Sequence, residues 1–273
     1  MTTHKSQQDD EQNIPPEILT LEDGRRIAYH RLPGKSPGIV FLGGFASDMT
    51  GTKAMAIEIL CRQTGQAFWR FDYTGHGASS GSFTEGTISS WTADALSVID
   101  DLTEGPLVLV GSSMGGWIML HVALARPERV NGLIGLASAP DFTEDLLHNS
   151  LNAKGRATLE KNGQIALPSD YGEPYIITQV LIEDGRDNLL LKETIPITCP
   201  VRLLHGILDA EVPPETSLKL ATCLKTPDVT VTFIKHADHR LSDLASLSRI
   251  FLTIAEMLNP SPAPGQDADQ EAG

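Results

Sequence analysis

Residues 108–117, with the sequence VLVGSSMGGW, constrain the fold more than any other part of the chain. A short apolar run is followed by the pattern Gly111-x-Ser113-x-Gly115 and then by residues that suit the start of a helix. The pattern predicts a sharp turn between a strand and a helix, at which Ser113 is strained and exposes its hydroxyl above a sheet. Glycine flanks the serine because side chains at those positions would collide with nearby backbone. We therefore interpret Ser113 as a candidate nucleophile.

Strand and helix patterns alternate along the chain on both sides of this turn. Continuous apolar strands separated by helices indicate an α/β fold, with a mostly parallel sheet covered by helices on both faces. Asp23-Gly24, between two short apolar runs, predicts an antiparallel hairpin at the edge of that sheet. The predicted strands cover residues 18–21, 26–31, 38–42, 67–71, 107–110, 130–137, 201–205 and 229–234, and the predicted helices cover 52–63, 88–102, 115–125 and 244–258.

Residues 141–196 interrupt this alternation, because they separate two predicted strands by far more than a usual connection of about 2–6 residues. Short helical patterns within them lie at 146–151, 176–182 and 189–191. We interpret the segment as a small inserted helical cap over the carboxyl edge of the sheet. The alternative is an enlarged surface excursion without a function.

Length and composition favour one large domain. The chain has 273 residues, and 41% of them are hydrophobic, which is ample for a sizeable core. We expect the domain over residues 18–258, between polar tails at 1–17 and 259–273 that should be disordered. The formal net charge of −14 argues against nucleic acid or an anionic membrane as the main partner. No apolar run approaches the roughly 18 residues of a membrane span.

The cysteines and the N-terminus bear on the cellular compartment. Three cysteines without a CxxC pair favour buried, inert thiols in a reduced compartment over a disulfide framework. Residues 1–13 contain no apolar segment typical of a secretory signal, and they are acidic and free of arginine, unlike a transit peptide. The sequence therefore predicts a cytoplasmic protein.

A serine nucleophile requires a base and an acid that orients the base, and in an open α/β sheet both should follow the carboxyl ends of strands. Asp209 follows the predicted strand 201–205, and His239 follows the predicted strand 229–234. The order Ser, Asp, His is the one expected for this type of turn. An imidazole can accept the Ser113 proton near neutral pH, and a carboxylate on its other nitrogen fixes the tautomer.

Other residues compete for these two roles. His236 shares the loop of His239 and is the alternative base, but His239 lies deeper in the loop, directly before the polar lead-in to the last helix. Asp238 is next to the base in sequence, where side chains rarely face each other, and Asp72 is better placed to cap a turn. We interpret His205 as structural. A metal site at the histidine pair is disfavoured, because no carboxylate or cysteine cluster accompanies it at the usual spacing.

An oxyanion hole requires two backbone N–H groups directed at the negative charge that develops on the acyl oxygen. Met114 follows the nucleophile at a helix N-terminus, where the helix dipole adds to the effect. The second donor is expected in the loop 43–47, where Phe45 is the best candidate and Gly44 gives the backbone room to turn. The alternative is a glycine-rich turn with no part in catalysis.

Further motifs accompany these residues. They are FLGGF at 41–45, Asp72-x-x-Gly75-x-Gly77-x-Ser79, GSSMGGW at 111–117, CPVRLLHG at 199–206, Asp209-x-x-Val212-Pro213 and KHADHR at 235–240. With them the chain resembles the α/β-hydrolase superfamily over nearly all of residues 18–258. Within it, the chain is similar to the mitochondrial abhydrolase subfamily of acyl-protein thioesterases and acyl-glucuronide esterases.

The resemblance implies an α/β-hydrolase fold and a serine esterase or thioesterase. Such an enzyme cleaves a carboxylic ester or thioester of a small-molecule or acylated substrate through an acyl-enzyme, without a cofactor. The alternative hypothesis is a non-catalytic ligand-binding protein on the same scaffold, since a fold does not determine a function.

Overall fold

The computed structural model describes residues 15–168 and 174–259, in which strands and helices alternate. The strands are β1 (Glu17–Thr20), β2 (Arg26–Leu32), β3 (Lys35–Leu42), β4 (Gln66–Phe71), β5 (Leu107–Ser112), β6 (Val130–Leu136), β7 (Gln164–Leu167), β8 (Tyr175–Thr178), β9 (Val201–Gly206) and β10 (Val229–Ile234). The α-helices are α1 (Thr52–Thr64), α2 (Ile88–Leu102), α3 (Met114–Ala125), α4 (Ala153–Asn162), α5 (Gln179–Asp187), α6 (Glu215–Cys223) and α7 (Leu244–Leu258). The tails that the sequence predicts to be disordered lie almost entirely outside the described residues, although Glu17 already begins β1.

One sheet of eight strands organises the molecule, in the order β1-β2-β4-β3-β5-β6-β9-β10. The six strands from β4 to β10 in this order run parallel to their neighbours, whereas β2 is antiparallel to both β1 and β4. The mostly parallel sheet with a hairpin at its edge is confirmed. Gly24 has φ +86° in the turn of that hairpin, a conformation that glycine adopts at little cost.

The core lies on both faces of this sheet. Val40 and Leu42 of β3 pack on one face with α2 and α3, and Ile39 and Phe41 pack on the other with α1 and α7. Successive side chains of a strand point to opposite faces, so a strand that is buried on both faces must be apolar throughout. This explains the continuous apolar runs, in which full burial of one aliphatic side chain contributes about 1.5–3 kcal/mol.

The cap segment, residues 141–196, is only partly helical. The sequence predicts a helix over 176–182, but β8 pairs antiparallel with β7 up to Thr178, and α5 begins only after it. Aromatic and β-branched residues in β8 favour a strand. The Thr178 hydroxyl then accepts a hydrogen bond from the N–H of Leu181 and so marks the start of α5.

Two other parts of the cap segment differ from the sequence-based expectation. A π-helical turn over Thr143–His148 replaces the helix predicted at 146–151, and residues 189–191 follow α5 without forming a helix. Helix α4 escapes prediction because Leu159 is its only fully buried residue, so it has no apolar stripe.

Three further properties of the described residues concern reactive cysteines, groups of metal-binding side chains and membrane-spanning helices. All three cysteines are free, and burial raises the pKa of Cys61 to about 12 and that of Cys199 to about 11, which disfavours reactive thiolates. In the described part of the chain, His, Cys, Asp and Glu side chains do not gather in groups of three or more that could hold a metal ion. Among residues 15–168 and 174–259, no helix combines the length and apolar character that crossing a bilayer requires.

Candidate active site

Ser113 lies at the sharp turn between β5 and α3, as the sequence predicts. Its backbone has φ +53° and ψ −118°, which is unusual for a residue with a side chain. The turn is held to the end of β6 and the loop after it, since the Ser113 N–H donates to the Leu136 carbonyl at 2.9 Å and the Ala139 N–H donates to the Ser113 carbonyl at 3.0 Å. These contacts hold the serine side chain above the carboxyl edge of the sheet.

The flanking glycines allow the close approach that this turn needs. A Cβ atom on Gly115 would overlap the carbonyl oxygens of Leu42 and Gly43, and one on Gly111 would overlap the backbone of Gly115. The neighbouring atoms belong to backbone, so they cannot move aside by a side-chain rotation. The glycines therefore set how closely α3 packs on the loop after β3.

We expect Gly115→Ala to destabilise the protein by at least about 1–3 kcal/mol, because the added methyl group must displace the backbone after β3. Urea unfolding at equilibrium measures this change. Gly43→Ala is the matched control, since a Cβ there would meet no atom within 4 Å. Equal unfolding midpoints for the two variants would contradict the steric role of Gly115.

Three side chains that the sequence singles out meet at the carboxyl edge of the sheet. The His239 Nε2 atom lies 3.1 Å from the Ser113 Oγ atom, and the His239 Nδ1 atom lies 2.7 Å from the Asp209 Oδ2 atom. Asp209 follows β9 and His239 follows β10, so adjacent parallel strands deliver both to the same place. His236, the alternative base, is exposed to solvent.

The Asp209 carboxylate is buried and richly hydrogen-bonded. Its Oδ1 atom accepts the N–H groups of Glu211 at 2.9 Å and Val212 at 2.8 Å, and its Oδ2 atom also lies 3.1 Å from His205 Nε2. Burial alone would raise the pKa of Asp209, but hydrogen bonds from His205 and His239 and from the backbone hold it well below its usual range. Asp209 is therefore ionised at neutral pH. The sequence did not predict the contact between the Asp209 carboxylate and His205.

The two predicted oxyanion donors border the same cavity as Ser113. Met114 is the first residue of α3, and Phe45 lies in the loop after β3. That loop passes close to the serine, since a Cβ on Gly44 would lie 3.4 Å from the Ser113 Cβ atom. Within the described residues, no protein acceptor takes the N–H of Phe45 or Met114. Both groups can therefore donate to a bound acyl oxygen.

A cavity of about 710 Å³ opens beside Ser113 and His239. Its apolar wall is built around Phe45, whose ring contacts Phe83, Phe142 and Tyr175 edge-on at centroid distances of 4.8, 5.5 and 5.7 Å. The cap segment completes this wall with Leu146, Leu147 and Ile176. The cavity thus offers an apolar surface to one side of the serine hydroxyl.

Lys53 borders the polar side of the cavity, and sequence reasoning did not identify it. Its Nζ atom donates to the Arg240 carbonyl at 2.5 Å, which joins the start of α1 to the loop that carries His239. Burial, followed by the nearby Arg240 charge, lowers the pKa of Lys53 to about 8. The contact spans 187 residues of sequence, so no local pattern could have indicated it.

Comparison with known proteins agrees with this architecture. Residues 37–168 match the serine aminopeptidase S33 family model, Hydrolase_4. The mitochondrial palmitoyl-protein thioesterase ABHD10 of Rattus norvegicus is 46% identical over 235 residues, which cover 85% of this chain and 79% of that protein. The Homo sapiens protein of the same name is 44% identical over 244 residues, which cover 89% of this chain and 79% of that protein.

Solved structures of similar proteins share the fold. Alpha/beta hydrolase domain-containing protein 10 from mouse has a TM-score of 0.83 and 42% identity, covering 89% of this chain and 98% of that one. A putative hydrolase from Agrobacterium vitis S4 has a TM-score of 0.85 and 40% identity, covering 90% of this chain and 100% of that one.

These relatives correct one prediction. The cytoplasmic location is wrong, because relatives that are 44–46% identical are named mitochondrial proteins, which points to mitochondria. The prediction depended on a missing arginine-rich pattern in residues 1–13, which lie outside the described residues. A pattern that is absent from so short a stretch does not define a compartment.

The comparisons also decide between the two functional hypotheses. The relatives are named thioesterases, so a non-catalytic binding protein is not supported, and the chain is a serine hydrolase that acts on ester or thioester bonds. With 46% identity to the rat protein and the fold of the mouse structure, this chain belongs to the ABHD10-like family of α/β-hydrolases.

Proposed function

We propose that this enzyme hydrolyses long-chain acyl thioesters, with Ser113 as nucleophile, His239 as general base and Asp209 as the orienting acid. The observation that carries the proposal is the hydrogen-bonded series Asp209–His239–Ser113 beside a cavity with an apolar wall. The relatives are named palmitoyl-protein thioesterases. We therefore take a fatty acyl group on a protein cysteine as the substrate class.

The first half-reaction forms an acyl-enzyme. His239 Nε2 accepts the Ser113 proton while Oγ attacks the thioester carbon, and Asp209 stabilises the resulting imidazolium across the 2.7 Å contact. The N–H groups of Phe45 and Met114 donate to the oxyanion, a contribution worth about 2.7–4 kcal/mol for one donor in a comparable site. The carbon–sulfur bond then breaks, and His239 returns the proton to the departing thiolate sulfur.

The second half-reaction releases the acyl group. His239 accepts a proton from water as the water oxygen attacks the acyl carbon of the Ser113 ester. The ester bond breaks, and the imidazolium returns its proton to Ser113 Oγ. The sum of the two halves is one thioester and one water converted to one carboxylic acid and one thiol.

The apolar wall supports an acyl chain rather than a polar group on this side of the cavity. The cap segment contributes Phe142, Leu147 and Tyr175 to it, close to the ring of Phe45. Each methylene group that moves from water to such a surface contributes about 0.8 kcal/mol. We propose that the cap segment, inserted in the domain at 18–258, forms the acyl subsite.

We expect kcat/KM to rise with acyl length from acetyl to the longest chain that the cavity holds, by about 4-fold for each buried methylene. S-acyl cysteine peptides of graded chain length, assayed by thiol release, measure this dependence. Leu147→Asn should lower kcat/KM by at least about 10-fold for a dodecanoyl chain and little for acetyl, because its side chain borders the cavity.

Leu218→Asn is the matched control, since that side chain is 49% exposed on α6 and does not border the cavity. A flat dependence on chain length would contradict the acyl subsite. An equal loss for acetyl and dodecanoyl substrates in Leu147→Asn would contradict it as well.

A further inference from the structure

A second imidazole lies against the carboxylate that orients His239. His205, in β9, is fully buried, and its Nε2 atom lies 3.1 Å from Asp209 Oδ2 and 3.0 Å from the Val212 carbonyl oxygen. Its Nδ1 atom lies 2.7 Å from the hydroxyl of Ser217 on α6, which is also buried. Every polar atom of this ring therefore has a partner.

These partners determine where the ring proton lies. A carbonyl oxygen can only accept, so the Val212 contact requires a proton on His205 Nε2, which the nearby Asp209 Oδ2 atom shares. The Ser217 hydroxyl lies 2.7 Å from Nδ1, on the other side of the ring. Because both ring nitrogens have partners, the orientation of the His205 ring is fixed.

The contacts that fix the His205 ring also bring it against Asp209. Two backbone N–H groups donate to Oδ1, and two imidazole nitrogens lie close to Oδ2, His205 Nε2 at 3.1 Å and His239 Nδ1 at 2.7 Å. Val212 and Ser217 already provide hydrogen-bond partners for both ring nitrogens of His205, which would be enough for a histidine with only a packing role. His205 makes a third contact, to Asp209 Oδ2, the oxygen that also contacts His239. Asp209 Oδ2 is thus contacted by both imidazoles, and only one of them, His239, also contacts Ser113.

We propose that His205 is a positioning residue, whose Nε2–H keeps Oδ2 of Asp209 opposite His239 and whose own orientation is fixed by Ser217. The inference rests on the proposed roles of Ser113, His239 and Asp209. It adds two buried residues, His205 and Ser217, behind Asp209. His205 does not border the cavity, so its effect on substrate is expected only through Asp209.

Two amide variants separate positioning from packing. In His205→Asn the amide can reach the position of Nδ1 and meet Ser217, but it cannot reach Asp209. In His205→Gln the terminal N–H₂ reaches the position of Nε2 and restores a donor. We expect His205→Asn to lower kcat on a short p-nitrophenyl ester by about 10–100-fold with KM unchanged, and His205→Gln to recover most of that loss.

Ser217→Ala provides a second test, because it removes the hydroxyl that contacts His205 Nδ1 and keeps the imidazole itself. This test remains informative even if His205→Asn does not fold. We expect several-fold lower kcat and unchanged KM, whereas Ser248→Ala, an exposed serine on α7, should match the wild type. Equal losses in His205→Asn and His205→Gln, or wild-type kcat in folded Ser217→Ala, would overturn the proposal.

The Ser113→Ala variant keeps this test separate from the proposed function. If Ser113→Ala retains turnover, the underlying roles fail. If Ser113→Ala is inactive while the His205 and Ser217 variants behave as wild type, only the positioning role of His205 fails.

Discussion

Replacement of Ser113 by alanine is expected to lower kcat for a short p-nitrophenyl ester by at least about 10⁴-fold, with the fold unchanged. The variant removes the oxygen that would form the acyl-enzyme. Among the described residues, the Ser113 hydroxyl makes one hydrogen bond, to His239 Nε2 at 3.1 Å. Alanine meets the same positive φ as serine, so the turn gains no new strain. Steady-state release of p-nitrophenol measures the effect, and a thermal unfolding curve checks the fold.

Ser97→Ala provides the matched control, because that serine is half-buried on α2, does not border the cavity, and donates its hydroxyl to the Ala93 carbonyl of its own helix. We expect this control to keep wild-type kcat and KM. Turnover by folded Ser113→Ala within about 10-fold of the wild type would show that another group forms the acyl-enzyme or that none is formed.

His239→Gln is expected to have the second-largest effect, a loss in kcat of about 10⁴-fold or more. Glutamine can reach the position of Nε2 beside Ser113, but its amide cannot accept the Ser113 proton and pass it to the leaving group. The matched control is His236→Gln, because His236 lies in the same loop but is exposed to solvent. The same ester assay on the two variants compares the two histidines directly.

We expect His236→Gln to keep wild-type kcat, since exposed substitutions away from a site change little. A large loss in His236→Gln with a small one in His239→Gln would reverse the assignment of the base. Similar losses in both would indicate that the loop conformation, rather than one imidazole, controls the rate.

The parts of the fold that could be predicted are those with a local physical cause. The turn at Ser113 depends on Gly111 and Gly115, which the sequence displays directly, and the two-sided burial of β5 appears as a continuous apolar run. The carboxyl ends of adjacent parallel strands meet at one edge, so Asp209 and His239 could be expected near Ser113.

The cap segment was harder to predict because its structure depends on distant contacts. Helix α4 has one fully buried residue, and the hairpin of β7 and β8 has only four residues in each strand, too few for a clear alternating pattern. The ring of Tyr175 packs on Phe45, 130 positions earlier in the chain, a contact that only the tertiary structure creates.

The supporting residues of the site were missed for the same reason. The contact of Lys53 with the Arg240 carbonyl depends on α1 and the last loop being adjacent in space. The position of His205 at a strand end before Gly206 favours a structural role and gives no sign that Asp209, four residues later, lies against its ring. Side-chain networks of this kind follow from packing and not from sequence periodicity.

The proposed function depends on a covalent acyl-enzyme at Ser113. Labelling the active enzyme with a fluorophosphonate and identifying the modified peptide by mass spectrometry tests whether Ser113 is the nucleophile. We expect one adduct per chain, on Ser113, with loss of activity in proportion to labelling and no adduct in Ser113→Ala. An adduct on a different residue that accounts for the lost activity, or an active enzyme that takes no label, would contradict it.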